Sequence, residues 1–218
     1  MRRNEKILLI KEIFDVEYKD AKCSLDYETV PQLLVAVILS AQCTDARVNI
    51  VTKELFKKCK EASDFANMKE EELKKYIHSC GFYKAKAKNI ISCNKDIVEK
   101  FGGKVPDNME DLLTLKGVGR KTANLILGDV YGKSALVIDT HAMRITKRLG
   151  LTKETEPSKI EFDLKKFVPA SYGIHFCHQL VFHGRKICTA RNPKCEICPV
   201  SHLCNYYLKT AKKENKNG

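Results

Sequence analysis

The amino-acid sequence predicts an all-α protein. Apolar residues recur at the three- and four-residue spacing of amphipathic helices along most of the 218-residue chain, and the alternation typical of strands is absent. Several glycines and prolines stand at the ends of these apolar segments, where helices start and stop.

The predicted helices form nine segments separated by short turns. They cover residues 7–18, 30–41, 63–80, 84–100, 106–113, 120–130, 140–148, 157–167 and 171–183. The second segment is apolar on all sides, as expected of a helix at the centre of a bundle. Gly81 follows the third segment and the pair Gly102–Gly103 follows the fourth, and these glycines end the two segments. Asp139 precedes the seventh segment as its N-cap, and Pro157 opens the eighth. The lysine-rich tail after Leu208 is predicted to fray.

The chain carries a formal net charge of +12. A soluble protein this basic typically binds a polyanion, most often nucleic acid, and the alternative is a lysine-rich surface that is only solvated. The N-terminal segment differs from a signal peptide because Lys11 and Glu12 interrupt its apolar run. The longest apolar stretch, Leu33–Leu39, is far shorter than the roughly 20 residues of a membrane span. We therefore expect a cytoplasmic protein with no membrane partner, whose ten cysteines are thiols or metal ligands rather than disulfides.

Four of the cysteines occur in the spacing C-x6-C-x2-C-x5-C. They are Cys188, Cys195, Cys198 and Cys204. The short loops let four thiolates surround one metal centre, and four cysteines suit either zinc or a four-iron cluster. Zinc sites usually pair one C-x2-C unit with another or with histidines, so this spacing suits zinc less well. The loop after the first ligand carries Arg191 and Lys194, which either hold phosphates or are simply exposed bases.

A glycine-rich turn links two predicted helices at Leu115–Lys121. Its two glycines are one residue apart, which lets the backbone turn sharply and approach a ligand closely. The second helix starts at the turn, so its free N–H groups can bind phosphate oxygens without reading sequence. The predicted phosphate-binding residues are Lys116, Gly117, Val118, Gly119 and Arg120.

Lys121 and Asp139 are the candidates for chemistry. Lys121 falls in the first turn of the helix after the hairpin, where the partial positive charge of the helix N-terminus disfavours the ammonium form and favours a nucleophilic amine. Its alternative role is a phosphate contact. Asp139 is fixed in direction by its capping position, which suits a catalytic carboxylate, and its alternative role is the cap alone.

Taken in order along the chain, these motifs resemble the endonuclease III family of the helix-hairpin-helix DNA glycosylase superfamily. The resemblance rests on the hairpin LKGVGRKTAN, on the segment VIDTH that contains Asp139, and on the cysteine spacing. Leu39–Asp45 resembles a further motif of the family. The similarity extends from about Val30 to Cys204.

The resemblance implies a two-lobed, all-α helix-hairpin-helix DNA glycosylase fold with a C-terminal [4Fe–4S] cluster loop. A six-helix lobe that includes the hairpin would span residues 22–132. Residues 133–218 would form the iron–sulfur cluster lobe, completed by the N-terminal helix within residues 1–21.

The resemblance also implies roles for single residues. Lys121 would be the nucleophile and Asp139 the catalytic aspartate. Gln42 would fill the space left by the extruded nucleotide. Phe82 falls where the family carries a wedge, often leucine, and its ring would unstack bases in the same way. The alternative for Phe82 is a core residue at a helix end.

The activity implied is that of a bifunctional DNA N-glycosylase and AP lyase of base excision repair, acting as a monomer on double-stranded DNA with a damaged base or an abasic site. Oxidised pyrimidines are the family's usual substrates, and the target base must be flipped out of the duplex. One alternative is a mismatch glycosylase for thymine or adenine, whose members usually lack lysine at the position of Lys121. Another is a non-catalytic, zinc-stabilised DNA-binding module, which leaves Lys121 and Asp139 unexplained.

The sequence departs from the family pattern in two places. Lys116 replaces the usual proline of the hairpin, and Cys43 replaces a small residue, often alanine. Three further groups receive structural predictions. Packing and polar contacts, rather than a second metal site, are predicted for His175, Cys177 and His178. Buried thiols are predicted for Cys23, Cys59, Cys80 and Cys93. A solvated face is predicted for Lys84, Lys86 and Lys88.

Overall fold

The chain folds into α-helices, as a computed structural model describes for residues 1–210. Within these residues there are eleven helices and no strand, which confirms the all-α prediction. The helices are α1 Arg3–Glu17, α2 Val30–Ser40, α3 Asp45–Lys58, α4 Ala62–Asn67, α5 Glu70–Ile77, α6 Tyr83–Phe101, α7 Met109–Thr114, α8 Arg120–Asp129, α9 Thr140–Leu149, α10 Pro157–Leu164 and α11 Gly173–Lys186. Two short 3-10 turns follow, Cys195–Ile197 and Ser201–Leu203. The part of the lysine-rich tail from residue 211 onward lies outside the described residues. None of the helices in residues 1–210 has the length and apolar content needed to cross a membrane.

Helix α3 is absent from the sequence prediction. The Oγ1 of Thr44 accepts a hydrogen bond from the Arg47 N–H at 3.3 Å and caps the helix. Val48 and Leu55, seven residues apart on one face, are fully buried. The capping threonine and the apolar spacing both indicate this helix in the sequence. The charged residues between Val48 and Leu55 weaken the apolar pattern.

The segment predicted as one helix over residues 63–80 is two helices, α4 and α5. Asp64 caps the first, since its carboxylate accepts hydrogen bonds from the Lys60 and Glu61 N–H groups at 2.8 and 2.9 Å. The chain becomes extended at Met68, whose side chain is buried. Both short helices pack against α6. The break changes the chain direction between them, so both stay in contact with α6, whereas one straight helix would diverge from it.

Residues Ser24–Gly132 form one compact unit. Helix α2 lies at its centre, with residues 31–39 all buried and with α3, α6 and α8 packed around it. Burial on every side explains why this helix is apolar throughout rather than amphipathic. Among the described residues, the unit holds seven helices, α2 to α8, where the resemblance implies six.

Within the described residues, Met1–Cys23 and 133–210 form the other compact unit. Helix α1 packs on α11, which also packs on α9. Phe14 and Phe176 are fully buried, with ring centroids 6.4 Å apart. The Tyr18 hydroxyl is hydrogen-bonded to Nδ1 of His183 at 2.8 Å. Aromatic packing and this bond attach the N-terminal helix to the C-terminal part of the chain.

Candidate functional site

The glycine-rich turn connects α7 to α8 as a tight hairpin. The Val118 N–H donates to the Leu115 carbonyl at 3.2 Å, and the Val118 side chain is 7% exposed, so it anchors the turn in the core. Gly117 has φ +80°, and a Cβ there would stand 3.1 Å from Cβ of Asn89, so backbone conformation and space both require glycine. Gly119 is the N-cap of α8.

The exposed surface of the hairpin comes from its remaining residues. Lys116, Gly117 and Gly119 are exposed, and the first residue of α8, Arg120, is half-buried. Because the Val118 side chain is buried, any contact of this residue with DNA is made by its main chain. The amides of the first turn of α8 have no helical acceptor of their own, which suits an anionic ligand.

Lys121 is the second residue of α8 and is exposed. It therefore stands beside the first-turn amides, within the positive end of the helix dipole. An exposed amine at this place is accessible to a substrate that binds the hairpin.

Asp139 caps helix α9, as predicted. Its Oδ1 accepts a hydrogen bond from the Ala142 N–H at 2.7 Å, and its carbonyl accepts one from Met143 at 2.9 Å. The residues before it, 135–138, are buried, while Asp139 itself is half-buried. The carboxylate is thus held in one direction by a buried segment on one side and a helix on the other. Lys121 and Asp139 belong to different compact units.

Gln42 and Phe82 lie at neighbouring turns of the unit Ser24–Gly132. Both residues have positive φ, 53° and 57° respectively, which is uncommon for residues other than glycine. A Cβ on Gly81 would stand 3.5 Å from the Gln42 carbonyl oxygen, so the two turns are in close contact. Phe82 is 69% exposed, and the alternative that it belongs to the core is wrong. A large exposed ring on a constrained turn is a feature of wedge residues.

Lys86 is not part of a solvated face, although Lys84 and Lys88 are exposed as predicted. The Lys86 side chain is buried, and its Nζ donates to the carbonyls of Leu39 and Ala41 at 2.8 and 2.6 Å. Burial lowers the pKa of the Lys86 ammonium, and the nearby cysteines 80 and 43 oppose that shift. This lysine holds the end of α2, directly before Gln42, and the sequence pattern alone did not indicate it.

The four cysteines of the C-terminal motif line one pocket. The pocket also includes Arg148 and His183. Burial, with the proximity of the other three cysteines, raises the pKa of Cys198 to about 11, although a backbone hydrogen bond from Val200 opposes the shift. Burial, followed by repulsion from its neighbours, also raises the pKa of Cys195. Four thiolates that line one pocket repel one another, and a bound metal cluster would offset their negative charge.

A zinc ion and a [4Fe–4S] cluster place different demands on four cysteines. A single zinc would hold four sulfurs at about 2.3 Å from the metal, and hence about 3.8 Å from one another. Four thiols spread around one pocket fit a [4Fe–4S] cluster, in which each iron takes one cysteine.

Two arginines of α9 hold the cysteine loop, and sequence reasoning missed both. Arg148 Nη1 donates to the Thr189 carbonyl at 2.7 Å and lies 3.3 Å from Cys188 Sγ. Arg144 donates from Nε to the Cys188 carbonyl at 3.1 Å. Their four-residue spacing puts both on one face of α9, which is the signal that would have indicated a shared partner.

The two basic residues of the cysteine loop, Arg191 and Lys194, are exposed. The loop backbone is held from within, because Thr189 Oγ1 donates to the Arg191 carbonyl at 2.7 Å and the Lys194 N–H donates to the Ile187 carbonyl at 3.0 Å. A fixed backbone with exposed cations suits phosphate binding.

Outside this motif, residues 1–210 hold no group of three His, Cys, Asp or Glu side chains placed to bind one metal ion. The Cys177 thiol is buried and accepts a hydrogen bond from the Val137 N–H at 3.2 Å. Buried thiols were predicted correctly for Cys59, Cys80 and Cys93, whereas Cys23 is half-buried.

Comparison with known proteins defines the class. The family described as HhH-GPD superfamily base excision DNA repair protein matches residues 35–170, and the iron-sulfur binding domain of endonuclease III matches residues 188–204. Endonuclease III of Synechocystis sp. is 48% identical over 204 residues, which cover 93% of this chain and 91% of the relative. A solved structure of a non-covalent endonuclease III–DNA complex is 38% identical, with a TM-score of 0.89, and the match covers 97% of this chain and 100% of that one. A trapped endonuclease III–DNA covalent intermediate has the same identity, TM-score and coverage.

The all-helical fold, the hairpin and the cysteine motif are thus those of a helix-hairpin-helix base excision DNA repair protein. The chain belongs to the endonuclease III family. It is an enzyme, a DNA glycosylase and AP lyase, and its cofactor is a [4Fe–4S] cluster. The alternative of a non-catalytic zinc module is therefore wrong.

Proposed function

We propose that this enzyme removes oxidised pyrimidines from double-stranded DNA and then cleaves the strand on the 3′ side, with Lys121 as nucleophile and Asp139 as the second catalytic residue. The observation that carries the proposal is the position of Lys121, exposed in the first turn of α8 directly after the hairpin glycines. A relative with the same fold has been trapped in a covalent complex with DNA.

The hairpin and the cysteine loop would bind the DNA backbone. The amides of the first turn of α8 and the exposed Lys116 supply donors to phosphate oxygens. Arg191 and Lys194 supply cations on the stiff loop that the cluster cysteines hold. These contacts are independent of base sequence, as a search for rare damaged bases requires.

Gln42 and Phe82 would hold the duplex open around the flipped nucleotide. Their turns are in contact, and both side chains are exposed. Phe82 would insert its ring between bases, and the Gln42 amide would offer donors and an acceptor to the base left without a partner. The lost stacking and pairing costs about a few kcal/mol, least for a damaged base.

The reaction would proceed through a Schiff base. The neutral amine of Lys121 attacks C1′ of the sugar as the bond from C1′ to the base breaks, and the base leaves with a proton. The sugar ring opens to give an imine between Lys121 and C1′. Loss of a proton from C2′ then breaks the bond from C3′ to the phosphate oxygen, and water later releases the lysine. The carboxylate of Asp139 would stabilise the positive charge that develops on the sugar.

The cluster takes no part in these steps. Bound to Cys188, Cys195, Cys198 and Cys204, it would fix the loop that carries Arg191 and Lys194 and contribute folding free energy to the C-terminal unit. Because one chain carries both catalytic residues and both DNA-binding loops, we propose that the enzyme acts as a monomer, in the cytoplasm, on chromosomal DNA.

Borohydride reduction tests the nucleophile. Wild-type enzyme incubated with a duplex that contains thymine glycol or an abasic site should give a covalent complex, because borohydride reduces the imine. Lys121→Gln should bind the duplex but give no complex. Lys88→Gln, which removes an exposed lysine of α6, should trap as wild type.

Two results bear against the proposal. A covalent complex formed by Lys121→Gln would assign the nucleophile to another amine. Excision of thymine or adenine from mismatches, with oxidised pyrimidines untouched, would favour the mismatch glycosylase.

A further inference from the structure

Two cysteines outside the cluster motif form a thiol pair in the unit Ser24–Gly132. The Cys43 thiol is a close neighbour of the Cys80 thiol, and after burial it is the largest influence that raises the pKa of Cys80. Cys43 follows the end of α2, where its N–H donates to the Ser40 carbonyl at 3.1 Å. Cys80 follows the end of α5, where its N–H donates to the Ile77 carbonyl at 2.9 Å.

The backbones that carry these thiols are also close. A Cβ on Gly81, the residue after Cys80, would stand 3.5 Å from the carbonyl oxygen of Gln42, the residue before Cys43. Disulfides require Cα atoms within about 7 Å of each other, so two cysteines on contacting turns with adjacent thiols are favourably placed for one.

The two thiols differ in accessibility. Cys43 is half-buried and open to small reagents, whereas Cys80 is buried. Burial, with the adjacent Cys43 thiol, raises the pKa of Cys80 to about 11, and the nearby cations Lys86 and Arg47 oppose the shift. Cys43 is thus the thiol that meets an external oxidant, and Cys80 is the neighbour that resolves the product.

We infer that Cys43 and Cys80 are a reversible oxidation site, which forms an intramolecular disulfide when the protein meets a low-molecular-weight disulfide. The Cys43 thiolate attacks one sulfur of the external disulfide and releases one small thiolate. Deprotonated Cys80 then attacks Sγ of Cys43 and releases the second small thiol, which carries the proton from Cys80. Two cysteine thiols are oxidised and one external disulfide is reduced to two thiols.

The disulfide would join the two turns that carry Gln42 and Phe82. This part of the inference rests on the proposed roles of these residues in holding the duplex open. Each of these residues lies within two positions of one of the cysteines, on a turn with positive φ. Tying the turns together fixes their spacing before DNA arrives. Because the turns carry the side chains that would hold the opened duplex, we expect oxidation to weaken binding of an abasic duplex by about tenfold, which corresponds to about 1.4 kcal/mol.

The test uses the full-length protein with its cluster, treated anaerobically with oxidised glutathione. Peptide mapping without reduction should reveal a peptide pair joined through Cys43 and Cys80. Iron content and visible absorption are measured in parallel, so that cluster loss is recognised separately. Binding to the abasic duplex should fall after oxidation and return after dithiothreitol.

The variants separate the pair from other thiols. Cys43→Ala should fold, keep its iron, bind DNA as the reduced wild type does, and be insensitive to oxidised glutathione; Cys80→Ala should be insensitive for the same reason. Cys59→Ala removes a different buried thiol of the same unit and should stay sensitive. Because Cys43 is half-buried, its variant keeps the test valid if Cys80→Ala fails to fold.

Each result has one meaning. Absence of the linked peptides in the oxidised wild type overturns the oxidation site. Linked peptides with unchanged DNA binding overturn its effect on the turns. Normal DNA binding by reduced Gln42→Ala and Phe82→Ala variants would instead overturn the proposed wedge function and leave the chemistry of the pair intact.

Discussion

Replacement of Lys86 by methionine removes the buried ammonium that holds the end of α2. The aliphatic stem of the side chain is kept, so packing beneath α2 changes little. Two hydrogen bonds to the carbonyls of Leu39 and Ala41 are lost, at 2.8 and 2.6 Å. Both acceptors lie at a helix C-terminus, where carbonyls have no partner within the helix.

The expected loss of stability follows from these two bonds. A hydrogen bond from a charged donor contributes about 1.5–3 kcal/mol, which gives about 3–6 kcal/mol for the pair. Removing the cost of burying the ammonium offsets part of this, since burial lowers the pKa of Lys86. We expect a net loss of about 2–3 kcal/mol, which lowers the melting midpoint by roughly 4–12 °C in a chain of this size.

Thermal melting followed by circular dichroism measures the effect. Hydrogen exchange adds a local measurement, because the Cys43 N–H, bonded to the Ser40 carbonyl, should exchange faster once the end of α2 is released. Lys88→Met, an exposed position on the same helix, should melt within about 1–2 °C of wild type. A midpoint for Lys86→Met that equals that of Lys88→Met would refute this account of Lys86.

Two further predictions concern the cluster unit and its loop. Lys194→Ala should reduce the slope of log affinity against log salt concentration by about 0.9, the contribution of one phosphate contact, and weaken binding of damaged and undamaged duplex equally. Lys159→Ala, which removes an exposed lysine of α10, should leave the slope unchanged. An unchanged slope for Lys194→Ala would show that the cysteine loop does not contact DNA. Cys198→Ser should lose iron and visible absorption and melt at lower temperature, because cluster ligation contributes folding free energy. Cys23→Ser, outside the motif, should keep its iron, and full iron content in Cys198→Ser would show that this cysteine is not a ligand.

Features confined to short stretches of sequence were predicted well. The fold class, the family and the cluster are confirmed. The cap formed by Asp139 is confirmed as well, since the contact spans only three residues. The catalytic roles of Lys121 and Asp139, and the DNA contacts of the hairpin and cysteine loop, stay predictions until the variants are measured.

The incorrect predictions have particular causes. Helix α3 was missed because charged residues weaken its apolar spacing, and the break at Met68 was missed because the packing of both short helices against α6, rather than local propensity, decides it. A solvated face was predicted for Lys86 because lysine is rarely buried. Its burial is favourable only because the carbonyls of Leu39 and Ala41, far away in the sequence, accept its hydrogen bonds.

The sequence by itself determined the family, the presence of a cluster and the hairpin, because each depends on the spacing of residues that are neighbours along the chain. Tertiary structure alone decided that Phe82 is exposed, that Lys86 holds the end of α2, and that Cys43 meets Cys80. The latter two contacts join residues that are about forty positions apart. A one-dimensional pattern does not encode them, because burial of the apolar core fixes which distant turns come together.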